Sequence, residues 1–195
     1  ITTKDYFMNP VPLPTLDEQE RIAEVLTSVD EAIHATQAVI EQTRTVKKGL
    51  LKSLFIGEAW SLDTDDTLIG KVPCEWEISP AEHVCETVID CKNRTPPYTE
   101  NGCVVVRTSN VRDGHFLRQK LSYTDHDSFV EWTKRGQPQT GDVLITREAP
   151  VVEVCAIPDD LEVCLGQRMM LYRPDTSRLR SDYLLYALQS DGVRK

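Results

Sequence analysis

The feature that most constrains this chain is a helical pattern that begins near residue 15 and continues for about 40 residues. Thr15 and Glu18 have the T-x-x-E spacing of a capping box, in which each side chain satisfies a backbone N–H of the first turn. Asp17 and Glu20 complement the positive end of the helix dipole. Gly57 is a suitable C-terminal stop. The sequence therefore predicts one long helix over residues 15–57.

Apolar residues recur along this helix at heptad spacing, which is typical of a coiled coil. The residues that we predict to pair with a second helix are Ile22, Leu26, Val29, Ile33, Ile40, Leu50 and Leu54. A helix of this length extends roughly 60 Å, which exceeds the diameter of a domain of about 130 residues. The apolar stripe therefore requires a second helix from a partner chain or a second copy. A helix packed partly on its own domain is the alternative.

The pattern changes after this helix. Residues 58–67 are acidic and rich in turn-forming residues, so we predict a linker there. Residues 68–195 contain short apolar runs bounded by Gly, Pro, Asn or Asp, which predict strands of a mixed or antiparallel sheet. Helical patterns occupy residues 125–136 and 181–195. The predicted fold class is α+β, with a long coiled-coil-type helix followed by a globular mixed-sheet domain.

Composition excludes several classes of protein. No apolar run approaches the ~18 residues of a membrane span, and the first residues lack the basic-then-apolar layout of a signal peptide. We therefore expect a soluble, cytoplasmic protein. The 6 cysteines form no CxxC pair and the 4 histidines are scattered, so the spacing of zinc ligands is absent. We expect free, mostly buried thiols, with neither a metal nor a cofactor.

The charge of the chain is strongly uneven. Its net charge of −9 repels phosphate at long range. The segment from Lys92 to Lys120, however, contains six basic and two acidic residues, a local net charge of +4. Asn, Thr, Ser, Tyr and His side chains that can bond base edges and phosphates are interleaved with them. Because basic clusters on strands are also common on solvated faces, charge alone leaves both interpretations open.

Candidate catalytic pairs lack suitable spacing. Asp142 and Glu148 lie six residues apart across a predicted strand, where two carboxylates do not face one another as acid and base. The glycines of residues 68–195 are isolated turn glycines without the spacing of a phosphate-binding loop. We therefore predict that the chain has no catalytic site.

Three stretches carry a family resemblance. The segments PLPTLDEQERIAEVLTSVDEAI, KKGLLKSLFIGEA and IGKVPCEWE resemble the central conserved region of the specificity subunit of Type I restriction-modification systems. The later YTENGCVVVRTSNVRDGHF, GDVLITREAP and CLGQRMMLYRP resemble the target-recognition domains of that family. One local departure is Val152 in APVVEV, where many relatives carry a glycine. The matching stretches cover nearly the whole chain in the expected order.

The resemblance implies a role and a set of partners. A specificity subunit reads double-stranded DNA without catalytic activity, and it docks methyltransferase subunits and a restriction subunit. Two target-recognition domains, held apart by two antiparallel conserved helices, read a bipartite site. The resemblance implies that residues 1–14 close a preceding recognition domain, 15–57 form the spacer and docking helix, and 68–195 form one recognition domain. We expect this chain to pair its helix as a homodimer. A homodimeric coiled-coil adaptor whose head binds protein or a small ligand is the alternative.

We predict the DNA-binding surface from the basic segment and from the hairpin that follows it. Its residues are Lys92, Asn93, Arg94, Tyr98, Arg107, Thr108, Asn110, Arg112, His115, Lys120 and Arg147. Arg forks to guanine and Asn to adenine in the major groove, so we expect Arg107 and Asn110 to contact bases. We expect Lys92 and Lys120 to contact phosphates. The alternative is that Arg107 and Arg147 only pair with Glu148 and Glu153 on the sheet.

Overall fold

The computed structural model describes residues 10–60, 62–148 and 150–192, without the side chain of Trp60. Most of the predicted closing segment at residues 1–14 lies outside the described residues. The chain divides into two compact units, one that ends at Gly49 and one that begins at Leu50. A long helix is followed by a mixed-sheet domain, which confirms the predicted α+β class.

Helix α1 spans Leu16–Phe55, a length of 40 residues, and it begins at the predicted capping box. The Glu18 carboxylate accepts hydrogen bonds from the Thr15 N–H at 3.0 Å and the Thr15 hydroxyl at 2.8 Å. In return, Thr15 Oγ1 accepts a hydrogen bond from the Glu18 N–H at 3.4 Å. Because the Thr15 bonds favour the charged carboxylate, they hold the pKa of Glu18 below its ordinary value.

The apolar stripe of α1 is exposed. None of the 40 described residues of this helix is buried. The predicted pairing residues are between 37% and 58% exposed, namely Ile22, Leu26, Val29, Ile33, Ile40, Leu50 and Leu54. A continuous apolar surface of this length is uncommon on a monomeric protein, because it leaves the hydrophobic effect unused.

The described part of the second unit contains the end of α1, three short helices and eleven strands. The helices are α2 (Ala81–Val84), α3 (His126–Trp132) and α4 (Ser181–Ala187). The first strands are β1 (Thr64–Thr67), β2 (Gly70–Pro73), β3 (Cys85–Asp90), β4 (Cys103–Val106), β5 (Val111–Arg112) and β6 (His115–Phe116). The others are β7 (Ser122–Thr124), β8 (Val143–Thr146), β9 (Val154–Ala156), β10 (Val163–Leu165) and β11 (Met169–Pro174).

Two sheets form the body of this unit. A four-stranded antiparallel sheet has the order β3-β11-β8-β9. A three-stranded sheet has the order β10-β4-β7, in which β10 and β4 are parallel while β4 and β7 are antiparallel. Two further pairs, β1–β2 and β5–β6, are antiparallel. The mixed sheet agrees with the short apolar runs seen in the sequence.

The predicted linker at residues 58–67 contains regular structure. Strand β1 lies inside it and pairs with β2, so that Thr67 faces Gly70. The Thr67 hydroxyl donates to the Gly70 carbonyl at 2.6 Å and closes this turn. The two aspartates of β1 have low strand propensity, so the sequence did not predict a strand there. Pairing with β2 outweighs this propensity.

The two sheets reach one common edge. Strands β3, β4, β8 and β10 end there, whereas β7, β9 and β11 begin there, as their registers show. The turn from Leu165 to Met169 joins β10 of one sheet to β11 of the other. We call this side of the domain the shared edge. The loops at the shared edge are therefore neighbours in space, although they are distant in sequence.

One hydrophobic core supports both sheets. Val106 and Val163 of the three-stranded sheet belong to the same buried cluster as Leu144, Met169 and Leu171 of the four-stranded sheet. Fully burying an aliphatic side chain of this size contributes roughly 1.5–3 kcal/mol. The common core fixes the two sheets to each other and makes the shared edge a rigid platform.

The thiols follow the prediction in part. All 6 cysteines are free, and Cys91, Cys155 and Cys164 are buried, whereas Cys74 is exposed. Burial raises the pKa of the Cys155 and Cys164 thiols to about 12.

No group of three or more His, Cys, Asp or Glu side chains in the described ranges could hold a metal ion. Among the helices that the structure describes, none is long and apolar enough to cross a membrane.

A buried ion pair braces the domain on the side opposite the shared edge. Asp142 is 2% exposed and Arg173 is 20% exposed. Arg173 donates to both carboxylate oxygens, with Nε to Oδ1 at 2.8 Å and Nη2 to Oδ2 at 2.7 Å. The Gln139 N–H also donates to this carboxylate, and Arg173 donates to the Gln137 carbonyl, both at 2.8 Å. Asp142 is therefore a structural residue.

Asp142→Ala should lower the free energy of unfolding by about 3 kcal/mol, because it leaves a largely buried guanidinium without its counter-charge. Urea unfolding monitored by circular dichroism measures the change. Asp160→Ala is the matched control, since Asp160 forms an exposed bidentate pair with Arg118; it should cost about 1 kcal/mol or less. Equal losses in the two variants would contradict the bracing role.

Candidate nucleic-acid interface

The shared edge brings together basic residues that are far apart in the sequence. Arg107 follows β4, Lys92 lies just after β3 and Arg147 follows β8, while Lys120 lies just before β7. Neighbouring strands lie about 4.8 Å apart, so side chains at their ends reach one another. Much of the predicted surface therefore lies on one side of the domain.

Arg107 and Tyr98 occupy the part of the edge beside the three-stranded sheet. The Arg107 guanidinium carbon lies 5.8 Å from the centre of the Tyr98 ring, in a cation–π contact. Arg107 Nη1 also donates to the Ser122 hydroxyl at 3.5 Å. Both Arg107 and Tyr98 are exposed. Because a guanidinium has five N–H donors, most of its donors face solvent here.

Asn110 is fully buried. Its side-chain oxygen accepts from the Arg107 N–H at 3.0 Å, and its amide donates to the carbonyls of Leu117 at 3.1 Å and Gln119 at 3.4 Å. The side chain thus fastens the segment after β4 to the segment before β7. A buried side chain with these bonds cannot reach a base edge, so Asn110 is removed from the candidate surface. It positions the backbone of Arg107 instead.

Helix α3 holds the segment that follows β3. Lys92 is half-buried, forms an ion pair with Glu131, and lies 4.8 Å from the centre of the Trp132 ring. Lys134 pairs with the other Glu131 oxygen, and together Lys134 and Lys92 lower the pKa of the Glu131 carboxyl to about 2. The Arg94 guanidinium lies 5.1 Å from the same ring, whose N–H donates to the Arg94 carbonyl at 3.2 Å. Trp132 therefore orders two of the predicted cations.

The ion pairs on the four-stranded sheet are not those of the predicted alternative. Arg147 pairs with Asp90 at 2.5 Å, rather than with Glu148 or Glu153, and Asp90 raises the pKa of Arg147. Glu148 pairs with Arg168 at 2.8 Å. In both pairs, each side chain is exposed over about a third or more of its surface. Exposed pairs contribute about 0–1 kcal/mol, so a phosphate can replace either carboxylate at small cost.

The β5–β6 hairpin extends the candidate surface past β9. Arg112 and His115 are exposed on it and are register partners. The Asp113 N–H donates to Glu153 Oε2 at 2.8 Å, which ties the hairpin to the segment just before β9. Gly114 is bridged to Cys155 of β9. The hairpin is therefore attached to the shared edge.

The remaining predicted residues differ in solvent exposure. Asn93 and Lys120 are exposed, whereas Thr108 is half-buried in a short 3₁₀ helix. Lys120 has φ of 52°, a left-handed conformation just ahead of β7. Contact of any of these side chains with DNA stays a prediction.

Three further polar residues lie at this edge. The sequence did not single out Arg135, whereas the stretch GQRMM left Gln167 and Arg168 open between a DNA contact and a strand that enters the core. Arg135 Nη1 donates to the Asp90 carbonyl at 3.3 Å, and Gln167 and Arg168 are exposed in the turn from β10 to β11. Both features of the GQRMM stretch are present, since Gln167 and Arg168 are exposed and the strand that enters the core begins at Met169. Their location at the edge depends on the parallel pairing of β10 with β4, which local sequence does not reveal.

Val152 adopts the conformation that a glycine would take most easily. Its φ is +61°, and its N–H donates to the Thr146 carbonyl at 3.0 Å across the turn between β8 and β9. The left-handed region is costly for a β-branched residue. Val152 thus stores strain at the shared edge.

Val152→Gly should raise the free energy of unfolding by about 0.5–1 kcal/mol, because relief of left-handed strain exceeds the added entropy of the unfolded chain. Thermal unfolding measures this change. Val151→Gly is the control, since Val151 is exposed and does not have a positive φ, and it should be destabilising. A loss of stability in both variants would show that Val152 is unstrained.

A second concave feature lies within the same unit. An apolar groove of about 810 Å³ is lined by residues that include Phe55, Trp76, Tyr183, Leu184 and Leu188. The rings of Phe55 and Tyr183 are 5.4 Å apart. None of the residues predicted to bind DNA lines this groove. Its apolar lining differs in chemistry from the charged, hydrogen-bonding shared edge.

Comparison with known proteins finds similarity to specificity subunits of Type I restriction enzymes. The chain is 25% identical over 193 residues to the Type I restriction enzyme MjaVIII specificity subunit of Methanocaldococcus jannaschii, covering 95% of this chain and 45% of that protein. It is also 25% identical over 184 residues to a candidate MjaX specificity subunit of the same organism, covering 91% of this chain and 41% of that one. The predicted resemblance to Type I specificity subunits is confirmed.

Solved structures and family models complete the comparison. The crystal structure of the HsdS subunit from Thermoanaerobacter tengcongensis matches with a TM-score of 0.48 and 22% identity, covering 96% of this chain and 44% of that one. No protein-family model matches the chain. The chain spans less than half the length of the curated relatives it matches.

Proposed function

We propose that this chain is the part of a Type I specificity subunit that reads one half of a bipartite DNA site. The observation that carries the proposal is the shared edge, where strand ends from two sheets collect arginines, lysines and polar side chains on a rigid core. This chemistry suits contact with phosphates and base edges. Similarity to the M. jannaschii subunits supports the same role.

The electrostatics of the edge support binding to a polyanion despite the net charge of −9. Arg147 and Arg168 are held by exposed pairs with Asp90 and Glu148. A DNA phosphate can take the place of each carboxylate, so that one charge-assisted bond replaces another. Arg107 keeps most of its donors open to solvent without such an exchange.

Helix α1 supplies the second part of the proposal. Its exposed stripe pairs with another copy of the conserved helix, as a homodimer when only this chain is present. Methyltransferase subunits and the restriction subunit dock along the paired helices and carry the catalytic chemistry in the cytoplasm. The stripe runs from Ile22 to Leu54, so the helix acts as a spacer as well as a docking element.

Arg107→Ala should weaken binding of the cognate duplex by about 1–3 kcal/mol and relax the preference at one base pair, because a forked contact is lost. Lys120→Ala should instead weaken all duplexes alike and lower the slope of log K against log salt by about one. Fluorescence anisotropy on a panel of half-site variants, at several salt concentrations, separates the two effects.

Arg180→Ala is the control for these variants, because Arg180 is exposed beside α4, beyond the other end of β11. It should leave affinity and preference unchanged. Absence of duplex binding by the parent chain even at low salt would contradict DNA recognition and would favour the adaptor function.

The double substitution Ile33→Lys and Ile40→Lys should convert the dimer to a monomer, because it places two ammonium groups in an apolar seam. Multi-angle light scattering at micromolar concentration measures the mass, and near-ultraviolet circular dichroism reports whether the second unit stays folded. Ala38→Lys adds a charge on the opposite face of the helix and should leave the dimer intact. A parent chain that is monomeric with α1 intact would refute the pairing.

A further inference from the structure

We propose that the turn Gly166–Arg168 is a specificity-determining element, in which Gln167 reads an adenine edge in the major groove and Arg168 contacts the adjacent phosphate. This inference rests on the proposed function, because it adds residues to the same reading surface. It adds a turn to the predicted surface of residues 92–120 and Arg147, and it gives separate roles to two residues that the sequence left open between a DNA contact and a core strand.

The turn lies at the centre of the shared edge. Leu165 is the register partner of Val106, so the turn begins beside Arg107. Met169 pairs with Thr146 of β8 and also accepts a hydrogen bond from the Cys91 N–H at 3.1 Å, so the turn ends between the segments that carry Arg147 and Lys92. Gln167 therefore lies in a turn between the segments that carry Arg107, Arg147 and Lys92.

The backbone of the turn is fixed at both ends. The Gly166 N–H donates to the Val106 carbonyl at 2.9 Å, and a Cβ at Gly166 would meet that oxygen at 2.6 Å. Only glycine allows this close approach. At the other end, the Arg168 N–H donates to Cys91 Sγ at 3.2 Å and the Arg168 carbonyl accepts from the Arg147 N–H at 2.8 Å.

Arg168 is held in a strained conformation by these contacts. Its φ is +76°, which an arginine rarely adopts. Such strain costs of order 1–3 kcal/mol and persists only where the surrounding structure imposes it. The strain sets the direction of the turn, and it occurs at a place where two exposed polar side chains follow a buried glycine.

The two side chains have complementary chemistry for DNA. Gln167 is exposed, and its amide makes no hydrogen bond to any residue that the structure describes. A free carboxamide matches adenine N6 and N7 with one acceptor and one donor. Arg168 Nε is bound to Glu148 Oε2 at 2.8 Å, in a pair whose side chains are 50% and 56% exposed. A phosphate can displace this carboxylate.

A rigid turn suits a reading residue. Ordering a flexible loop on binding costs about 0.5–1.5 kcal/mol for each immobilised side chain. Here the backbone on both sides of Gln167 is already fixed, so only the side-chain torsions of Gln167 become ordered. A contact with two hydrogen bonds is lost when the Gln167 amide shifts by a small distance. Because the fixed backbone limits such shifts, the amide cannot adjust to a wrong base.

The test uses the complete specificity subunit that carries this chain, assembled with its methyltransferase subunits. Methylation mapping of DNA from cells that express the parent complex gives the half-site, and duplexes with single-base changes then give relative affinities. Q167A and Q167E should both lose discrimination at one adenine position, by about 5- to 150-fold. R168G keeps the positive φ accessible, and it should reduce the salt slope by about one without changing the motif.

Gln139→Ala and Arg180→Ala are the matched controls, since both residues are exposed near the opposite ends of the strands, and neither should alter affinity or motif. Thermal unfolding confirms that each variant is folded. A parent that reads a half-site, with Q167A and Q167E reading the same motif at the same discrimination, would overturn this inference alone. A parent without sequence-dependent duplex binding would overturn the proposed function as well.

Discussion

The close approach of Gly166 to the carbonyl of Val106 is the constraint on which the architecture of the head depends. The hydrogen bond between them continues the parallel pairing of β10 with β4, and the chain then crosses to the other sheet within three residues. A side chain at this position would collide with the Val106 carbonyl. Because the crossing is so short, the two sheets must end at one edge, and their loops must share it.

This constraint explains why residues from six separate segments lie at one edge. Three of these segments are also secured individually: Asn110 fastens the loop after β4, Trp132 and Glu131 hold the loop after β3, and Glu153 holds the β5–β6 hairpin. The tethers are mostly hydrogen bonds to backbone groups or contacts with cation-bearing side chains. These segments are therefore preorganised, which under the proposed function lowers the conformational entropy lost on binding.

Much of the scaffold could be predicted from local sequence, whereas the residue roles could not. The capping box at Thr15 and Glu18 and the heptad stripe are encoded within a few turns, so α1 was predictable to within one residue at its start and two at its end. The burial of Asn110 and the ion pair of Asp142 depend on partners 7 to 31 residues away. The Type I resemblance supplied the proposed function, but local pattern did not distinguish an asparagine that faces DNA from one that holds a loop.

The arrangement of charge favours specificity over raw affinity. A surface of unpaired arginines on an otherwise neutral protein would bind any duplex through its phosphates. Here Asp90 and Glu148 form ion pairs with Arg147 and Arg168, and the net charge of −9 opposes the approach of DNA at long range. Exchange of carboxylate for phosphate gains little by itself, since one anion replaces another. Under the proposed function, the acidic residues penalise every duplex equally. Binding then depends on base contacts that only the correct sequence supplies, so the cognate half-site alone overcomes the penalty.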